Sequence, residues 1–144
     1  MGTNYYLKAH PGAAINDPDT VHIGKSSAGW CFGLHVMPER GLNDLADWLP
    51  LLALREACIY DEYDQHIAYE DLLNVITQRV GMPGSGPLSP TFLSGTRYST
   101  MAEYLESTDT MLGPNRLLRC NPKTDQFCTK NGEGTWDCIT GEFS

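Results

Sequence analysis

The clearest hydrophobic pattern in the chain lies at about residues 21–36, where it predicts a β-hairpin. Its second arm alternates large apolar residues with small or polar ones, namely Trp30, Phe32, Leu34 and Val36 against Cys31, Gly33 and His35. Alternation over this length is typical of a strand with one buried face, and the small polar residues between the arms favour a tight turn. We therefore expect this hairpin to be the centre of the fold.

Three further stretches carry apolar residues at helical spacing. Asn43 or Asp44 can cap the first helix, in which Pro50 should cause a kink or start a second short helix. Residues 69–80 predict a clear amphipathic helix. Thr100 begins a capping box, which predicts another short helix immediately after it.

The remaining apolar stretches predict short strands. Residues 4–8 are aromatic and β-prone, and residues 58–67 resemble a small second hairpin. Short apolar stretches at residues 117–118, 127–128 and 136–139 predict short closing strands. The predicted fold class is thus α+β, a small antiparallel sheet built on the central hairpin with two or three helices packed on one face.

One long segment shows no periodicity at all. Residues 81–97 are rich in Gly, Pro and Ser, and they predict a long loop. A loop of this length in a compact domain is either functional or disordered. At 144 residues with 41% hydrophobic residues, the chain as a whole is expected to form a single domain, 1–144.

Composition adds an expectation about location. No apolar run approaches the roughly 20 residues that cross a bilayer, and the first residues lack the order of charges and apolar residues found in a signal peptide. We expect a cytoplasmic protein with no membrane attachment. Its five cysteines contain no C-x-x-C pair and are expected to be reduced.

The charge is uneven along the chain, whose net value is −8. Residues 41–78 contain eight acidic residues and a single lysine or arginine, Arg55. The usual interpretation is a solvated helical face; the alternative is a surface for a basic partner, such as one that otherwise binds nucleic acid. The acids assigned to this partner surface are Asp61, Glu62, Asp64, Glu70 and Asp71.

The turn of the hairpin combines a cation with hydroxyls and glycines. It is not a P-loop, because Asp19 stands where that motif needs glycine and a strand, not a helix, follows the turn. Such a turn can hold an anion through charge and hydrogen-bond donors, or it can simply be a polar hairpin tip. Basic residues of the final third could join it as a cationic pocket with aromatic walls. The candidate ligand-binding residues are His22, Lys25, Ser26, Ser27, Trp30, Arg97 and Arg116.

The histidines of the hairpin leave several roles open. His22 is expected to lie across the hairpin from a residue near His35, where it can act as an acid or base or merely fill a sheet position. A metal site drawing on these two and Cys31 is not expected, because tetrahedral sites usually have closer-spaced ligands. No catalytic motif is complete and no cofactor is expected.

Three phrases of the sequence together resemble a known family. They are MGTNYY at residues 1–6, HIGKSSAGWCF at residues 22–32, and GEGTWD through GEFS at residues 132–144. With these phrases the chain is similar to a family of small, largely uncharacterised proteins of tailed bacteriophages. Some relatives carry a C-x-x-C between the first two phrases, whereas residues 8–21 here contain no cysteine. The resemblance implies a phage gene product acting in a bacterial cytoplasm, and small phage accessory proteins often inhibit host factors or host defence.

These observations lead to a ranked set of hypotheses. The first is a non-enzymatic phage accessory protein that binds a small anionic ligand, such as a nucleotide signal, and so inhibits host defence. The alternative is an acidic protein-interaction module, with its face within residues 44–71, that blocks a nucleic-acid-binding host protein. A third is a small enzyme on phosphate-containing substrates with His22 or His35 as acid or base. None of these hypotheses involves direct binding of nucleic acid. The sequence leaves open whether the protein forms a homodimer.

Overall fold

A computed structural model describes residues 2–144 of the chain. The α+β class is confirmed. Within these residues the strands and α-helices, in chain order, are β1 Gly2–Lys8, β2 Val21–Ser27, β3 Phe32–His35, α1 Leu45–Leu52, β4 Cys58–Asp61, α2 Tyr69–Thr77, α3 Met101–Ser107, β5 Thr110–Leu112, β6 Leu118–Cys120, β7 Cys128–Asn131 and β8 Trp136–Ile139. None of these helices is long and apolar enough to span a bilayer.

The main sheet is larger than the sequence predicted, and it is mixed. Six strands pair in the order β4-β1-β2-β3-β8-β7, while β5 and β6 form a separate two-stranded sheet. All pairs in the main sheet are antiparallel except β3 with β8, which run parallel with Phe32 opposite Trp136. This pairing joins distant parts of the chain, so the hydrophobic alternation within either strand could not reveal it.

The central hairpin is present where the alternation predicted it. β2 and β3 pair antiparallel, with Gly24 opposite Leu34 and Lys25 opposite Gly33. Gly24 has to be a glycine, because a Cβ there would lie 2.2 Å from the carbonyl oxygen of Gly33. In the turn, the amide of Trp30 donates to the carbonyl of Ser27 at 3.1 Å.

Helices α1 and α2 pack with the sheet into one hydrophobic core. Asp44 caps α1 by accepting a hydrogen bond from the Leu45 amide at 2.7 Å, and Pro50 lies inside the helix without ending it. Helix α3 begins immediately after its N-cap Thr100, as predicted, but it buries no residue fully, so it contributes little to this core. The helical residues that are buried are Leu45, Trp48, Leu52, Leu72 and Ile76.

Two of the predicted loop and helix boundaries differ in the structure. Helix α2 ends at Thr77, before the predicted end at residue 80, and the chain beyond it turns towards the hairpin. Residues 81–97 are not uniformly irregular, because two single 3₁₀ turns form at Gly86–Leu88 and Phe92–Gly95. The first of these 3₁₀ turns lies against the β2–β3 turn, where Cδ of Pro87 would be 3.8 Å from a Cβ on Gly29.

The cysteines are not all reduced, in contrast to the expectation from the sequence. Cys120, at the end of β6, and Cys128, at the start of β7, form a disulfide with their Cα atoms 6.3 Å apart. The fold brings these two strand ends together, which spacing along the chain did not indicate. The other three, Cys31, Cys58 and Cys138, are buried free thiols.

Candidate ligand-binding site at the hairpin end

A hollow of about 440 Å³ lies at the end of the central hairpin, and we call it the Trp30 hollow. The β2–β3 turn forms one side, the segment after α2 forms another, and β6 and α3 close it. This volume falls within the range of small-molecule sites. It is lined by Ala28, Gly29, Trp30, Arg79, Val80, Gly81, Met82, Ser85, Gly86, Pro87, Phe92, Tyr104, Leu117 and Leu118.

Backbone hydrogen bonds fix the turn at the floor of the hollow. The Leu118 amide donates to the carbonyl of Gly29 at 2.8 Å, and the Cys31 amide donates to the carbonyl of Leu118 at 2.8 Å. Gly29 has a φ of +82°, a conformation that favours glycine. The hairpin end is therefore held rigidly against β6, which pre-forms this side of the hollow.

Arg79 supplies the charge of the hollow. Its Nε donates to the carbonyl of Trp30 at 2.7 Å, and its Nη2 donates to the carbonyl of Ser27. Within residues 2–144, Nη1 forms no hydrogen bond. Burial lowers the pKa of Arg79 below its ordinary value, while the neighbouring Tyr5 and Cys31 act in the opposite direction. Arg79 borders both the Trp30 hollow and a smaller hollow beside Gly2 and Ser26, so its positive charge favours an anion in this region.

Aromatic rings form the walls. Trp30 lies on one side, while Phe92 and Tyr104 meet edge to face with their ring centroids 5.1 Å apart. Tyr98 packs in turn against Tyr104, at 5.7 Å between centroids. Flat apolar walls of this kind accept a planar ring by stacking.

The charge of the lining is opposite to that of the whole protein. Among the described residues that line the Trp30 hollow there is no aspartate or glutamate, and Arg79 is the one charged side chain. The chain as a whole carries a net charge of −8. The hollow is therefore a local exception to the negative surface, and its charge favours an anion.

The structure brings only part of the predicted ligand-binding set to this hollow. Trp30 lines it, and Ser27 takes part through its carbonyl group, which binds Arg79. Arg116 lies at its edge, where its Nη1 donates to the carbonyl of Gly81 at 3.2 Å.

The other predicted residues lie elsewhere. Lys25 is outside the Trp30 hollow, with its Cε packed close to Gly2. Ser26 borders a smaller hollow, which shares Ala28 and Arg79 with the Trp30 hollow. The exposed guanidinium of Arg97 lies over the ring of Tyr98, 5.3 Å from its centroid.

Sequence reasoning missed Arg79, Phe92 and Tyr104. Arg79 follows an amphipathic helix and looks like an ordinary solvated residue in the sequence. The length of the 81–97 loop was the one signal that pointed towards Phe92, because a long loop in a compact domain is often functional. No local pattern indicated that this loop folds back onto the hairpin.

His22 lies in a second hollow of about 470 Å³, which we call the histidine hollow. As predicted, His22 faces His35 across the hairpin, with 3.3 Å between their Nδ1 atoms. Burial, followed by the charge of His35, lowers the pKa of His22 to about 4. Burial also lowers the pKa of His35, so both imidazoles are neutral near pH 7. Cys31 is not part of this group, because its thiol donates to Asn115.

The predicted acidic partner surface is largely committed to internal contacts. Asp61 is buried and accepts hydrogen bonds from the turn amides that follow it, and Glu62 accepts from the Asn4 amide at 2.8 Å. Asp64 pairs with the buried ammonium of Lys8. Glu70 and Asp71 are exposed in the first turn of α2. These contacts favour a structural role for Asp61, Glu62 and Asp64.

No family model, curated protein or solved structure matches this chain.

Proposed function

We propose that this protein is a non-enzymatic binder of a small anionic ligand with a planar ring, a nucleotide, in the Trp30 hollow. The observation that carries the proposal is the charge of the lining: Arg79 is its one charged side chain among the described residues, in a protein of net charge −8. The net negative charge of the protein gives its surface no general affinity for anions. A positive charge in the lining therefore attracts an anion only at this hollow.

Shape and wall chemistry support a nucleotide over a simple inorganic anion. The hollow has the volume of a small-molecule site, and three aromatic residues, Trp30, Phe92 and Tyr104, border it. Stacking of a base on an aromatic ring contributes about 1–3 kcal/mol. The positive charge of Arg79 at the border of the hollow can then attract the phosphate group.

Binding without turnover fits the chemistry of the lining. Among the described residues around the hollow there is no histidine, cysteine, lysine or carboxylate that could act as nucleophile, acid or base. The hydroxyl of Ser85 donates to the carbonyl of Met82 and has no base beside it in the lining. We therefore favour a receptor or a sequestering protein.

The sequence resemblance supports a biological setting for such a binder. In that setting the protein is a phage accessory protein that holds a nucleotide signal and so keeps it from a host defence system in the bacterial cytoplasm. Sequestration needs tight binding and no chemistry, which matches the lining of the hollow.

Calorimetry with a panel of cyclic and linear nucleotides tests the proposal. We expect one ligand per chain, with affinity reduced at least tenfold in Phe92→Leu, which removes an aromatic wall and no backbone contact. Tyr63→Leu is the matched control, because Tyr63 is 64% exposed and lies outside the hollow. Lys25→Ala should also bind normally. Absence of binding across the panel, or equal losses in Phe92→Leu and Tyr63→Leu, would refute the proposal.

A further inference from the structure

The histidine hollow contains a pair of imidazoles whose geometry calls for a separate explanation. His22 is on β2 and His35 is the last residue of β3, so the two rings meet on neighbouring strands of the hairpin. Their Nδ1 atoms are 3.3 Å apart and their ring centroids 5.3 Å apart. Both side chains are half-buried and line a hollow of about 470 Å³, which leaves them within reach of a small solute.

This separation equals the distance between two ligands of one tetrahedral metal ion. Imidazole nitrogens bind zinc at about 2.0–2.1 Å, and a tetrahedral angle at the ion then places them about 3.3–3.4 Å apart. The same contact lies within hydrogen-bond distance, so one ring can also donate to the other. The spacing therefore allows the two Nδ1 atoms to be ligands of one ion.

The surroundings of His22 orient it as a metal ligand. Its Nε2 lies 2.8 Å from Oδ1 of the buried Asn4, so Nε2–H can donate there, and in that tautomer Nδ1 keeps its lone pair 3.3 Å from Nδ1 of His35. Asn4 is itself held by Glu62, whose Oε1 accepts from the Asn4 backbone amide at 2.8 Å. Metal-binding histidines almost always donate their other ring N–H to an oxygen acceptor in this way.

A carboxylate and a guanidinium, those of Glu142 and Arg40, also border the histidine hollow. Glu142 lines it, and the negative charge of this carboxylate acts on His35. The ring of Phe143 covers the two imidazoles, with centroids 4.8 Å from His22 and 5.3 Å from His35. Nδ1 of His35 also lies 3.1 Å from the carbonyl oxygen of His22 and can donate to it. Metal binding requires the proton of His35 to be on Nε2, a change of tautomer without net loss of a proton.

We propose that His22 and His35 bind a divalent transition-metal ion of the zinc type through their Nδ1 atoms. Two imidazoles select for such borderline metals over magnesium or calcium, which prefer oxygen ligands. The site is new with respect to the sequence, from which no metal site was expected. It is separate from the Trp30 hollow, and it does not depend on the nucleotide proposal, because the metal alone is the probe.

Calorimetric titration of the oxidised protein with Zn²⁺ measures the affinity and the stoichiometry of metal binding. We expect one ion per chain and at least a tenfold loss of affinity in His22→Gln and in His35→Gln. His10→Gln and His66→Gln are the matched controls, because both residues are exposed and outside the hollow. Equal affinity in all four variants, or no binding by the unmodified protein, would overturn the proposal.

Two spectroscopic readouts on the unmodified protein keep the test valid even if a histidine variant fails to fold. Co²⁺ should produce the visible bands of a tetrahedral site without the charge-transfer absorption of a thiolate ligand. Nuclear magnetic resonance should show Co²⁺-dependent shifts centred on His22, His35 and Phe143. A thiolate band would place the metal at one of the free cysteines, and shifts centred on Asp137 would place it beside the Cys120–Cys128 disulfide; either result would overturn the assignment.

Discussion

The Nε atom of Arg79 donates a hydrogen bond to the carbonyl oxygen of Trp30 at 2.7 Å. Through this contact, one guanidinium both anchors the hairpin end and provides the charge of the Trp30 hollow. The second bond, from Nη2 to the carbonyl of Ser27, completes a fork that only arginine can make. The site's electrostatics and the local stability of the hairpin are therefore coupled.

Arg79→Lys should separate these two roles. Lysine keeps the positive charge but loses the fork, and hydrogen bonds from charged groups contribute about 1.5–3 kcal/mol each. We expect the free energy of unfolding in urea to fall by about 2 kcal/mol. An unchanged free energy of unfolding would contradict the anchoring role, and Arg97→Lys, at an exposed position outside the hollow, is the control.

Gly81→Ala should destabilise the wall of the Trp30 hollow. A Cβ at this position would lie 2.6 Å from the carbonyl oxygen of Arg116, which is a backbone atom and cannot move aside cheaply. Overpacking of this kind costs about 1–3 kcal/mol. Thermal unfolding measures the loss. Gly95→Ala is the matched control, because a Cβ there meets nothing within 4 Å, and its melting temperature should stay close to that of the unmodified protein.

Removal of one partner of the Arg119–Asp137 ion pair should be strongly destabilising. The two side chains are 7% and 4% exposed and lie 3.0 Å apart between Nε and Oδ1. Asp137 also accepts hydrogen bonds from the Cys120 amide and from Asn131, so Asp137→Leu leaves a buried guanidinium and two further donors without their carboxylate. Loss of one member of a buried pair costs about 3–5 kcal/mol.

An exposed ion pair provides the comparison for this prediction. Lys130 pairs with Asp44 at 2.7 Å, but its side chain is 52% exposed. Lys130→Met should therefore cost less than about 1 kcal/mol. Urea unfolding of both variants measures the difference, and similar losses in the two would show that burial does not set the strength of these pairs.

Protonation of Asp44 at low pH should reduce the free energy of unfolding. Burial by itself raises the pKa of this carboxyl group, but hydrogen bonds from Lys130, Trp136, the Leu45 amide and Cys138 outweigh it and lower the pKa to about 2. The unfolded value lies near 3.9. The folded state thus binds a proton less readily than the unfolded state, so this contribution is complete above about pH 4 and is lost as the pH falls towards 2.

Urea unfolding at several values between pH 5 and pH 2 tests this assignment. The unmodified protein should lose stability over that window, and Asp44→Asn should show a smaller dependence because it has no carboxyl group to protonate at the cap. An identical slope in the two proteins would show that other acids dominate acid unfolding.

Local features of the fold were predictable because their signals are local. The alternation in residues 21–36 identified the hairpin, the predicted cap at Asn43 or Asp44 located the start of α1 to within one residue, and the capping box at Thr100 identified the start of α3. A capping side chain bonds to amides within three residues of itself, so the sequence contains both partners. The meeting of His22 with His35 followed from the hairpin in the same way.

The candidate binding site was predictable only in part. Trp30 was identified from the hairpin alone, whereas the cation of the hollow is Arg79 and not Lys25. Lys25 is adjacent to the turn in sequence, but its side chain lies against Gly2. Arg79 reaches the turn from the end of α2, and Phe92 reaches the hollow from the long loop. These approaches depend on how the chain returns to the hairpin, which no residue spacing within either segment specifies.

The sequence by itself determined the fold class, the central hairpin and the helix starts, because each depends on a period or a cap within a few residues. The tertiary structure alone decided the mixed six-stranded sheet, the Cys120–Cys128 disulfide and the position of the positive charge at the Trp30 hollow. Those features join segments far apart in the chain. Their free energy comes from packing and from burial of paired polar groups, and both exist only once the segments have met.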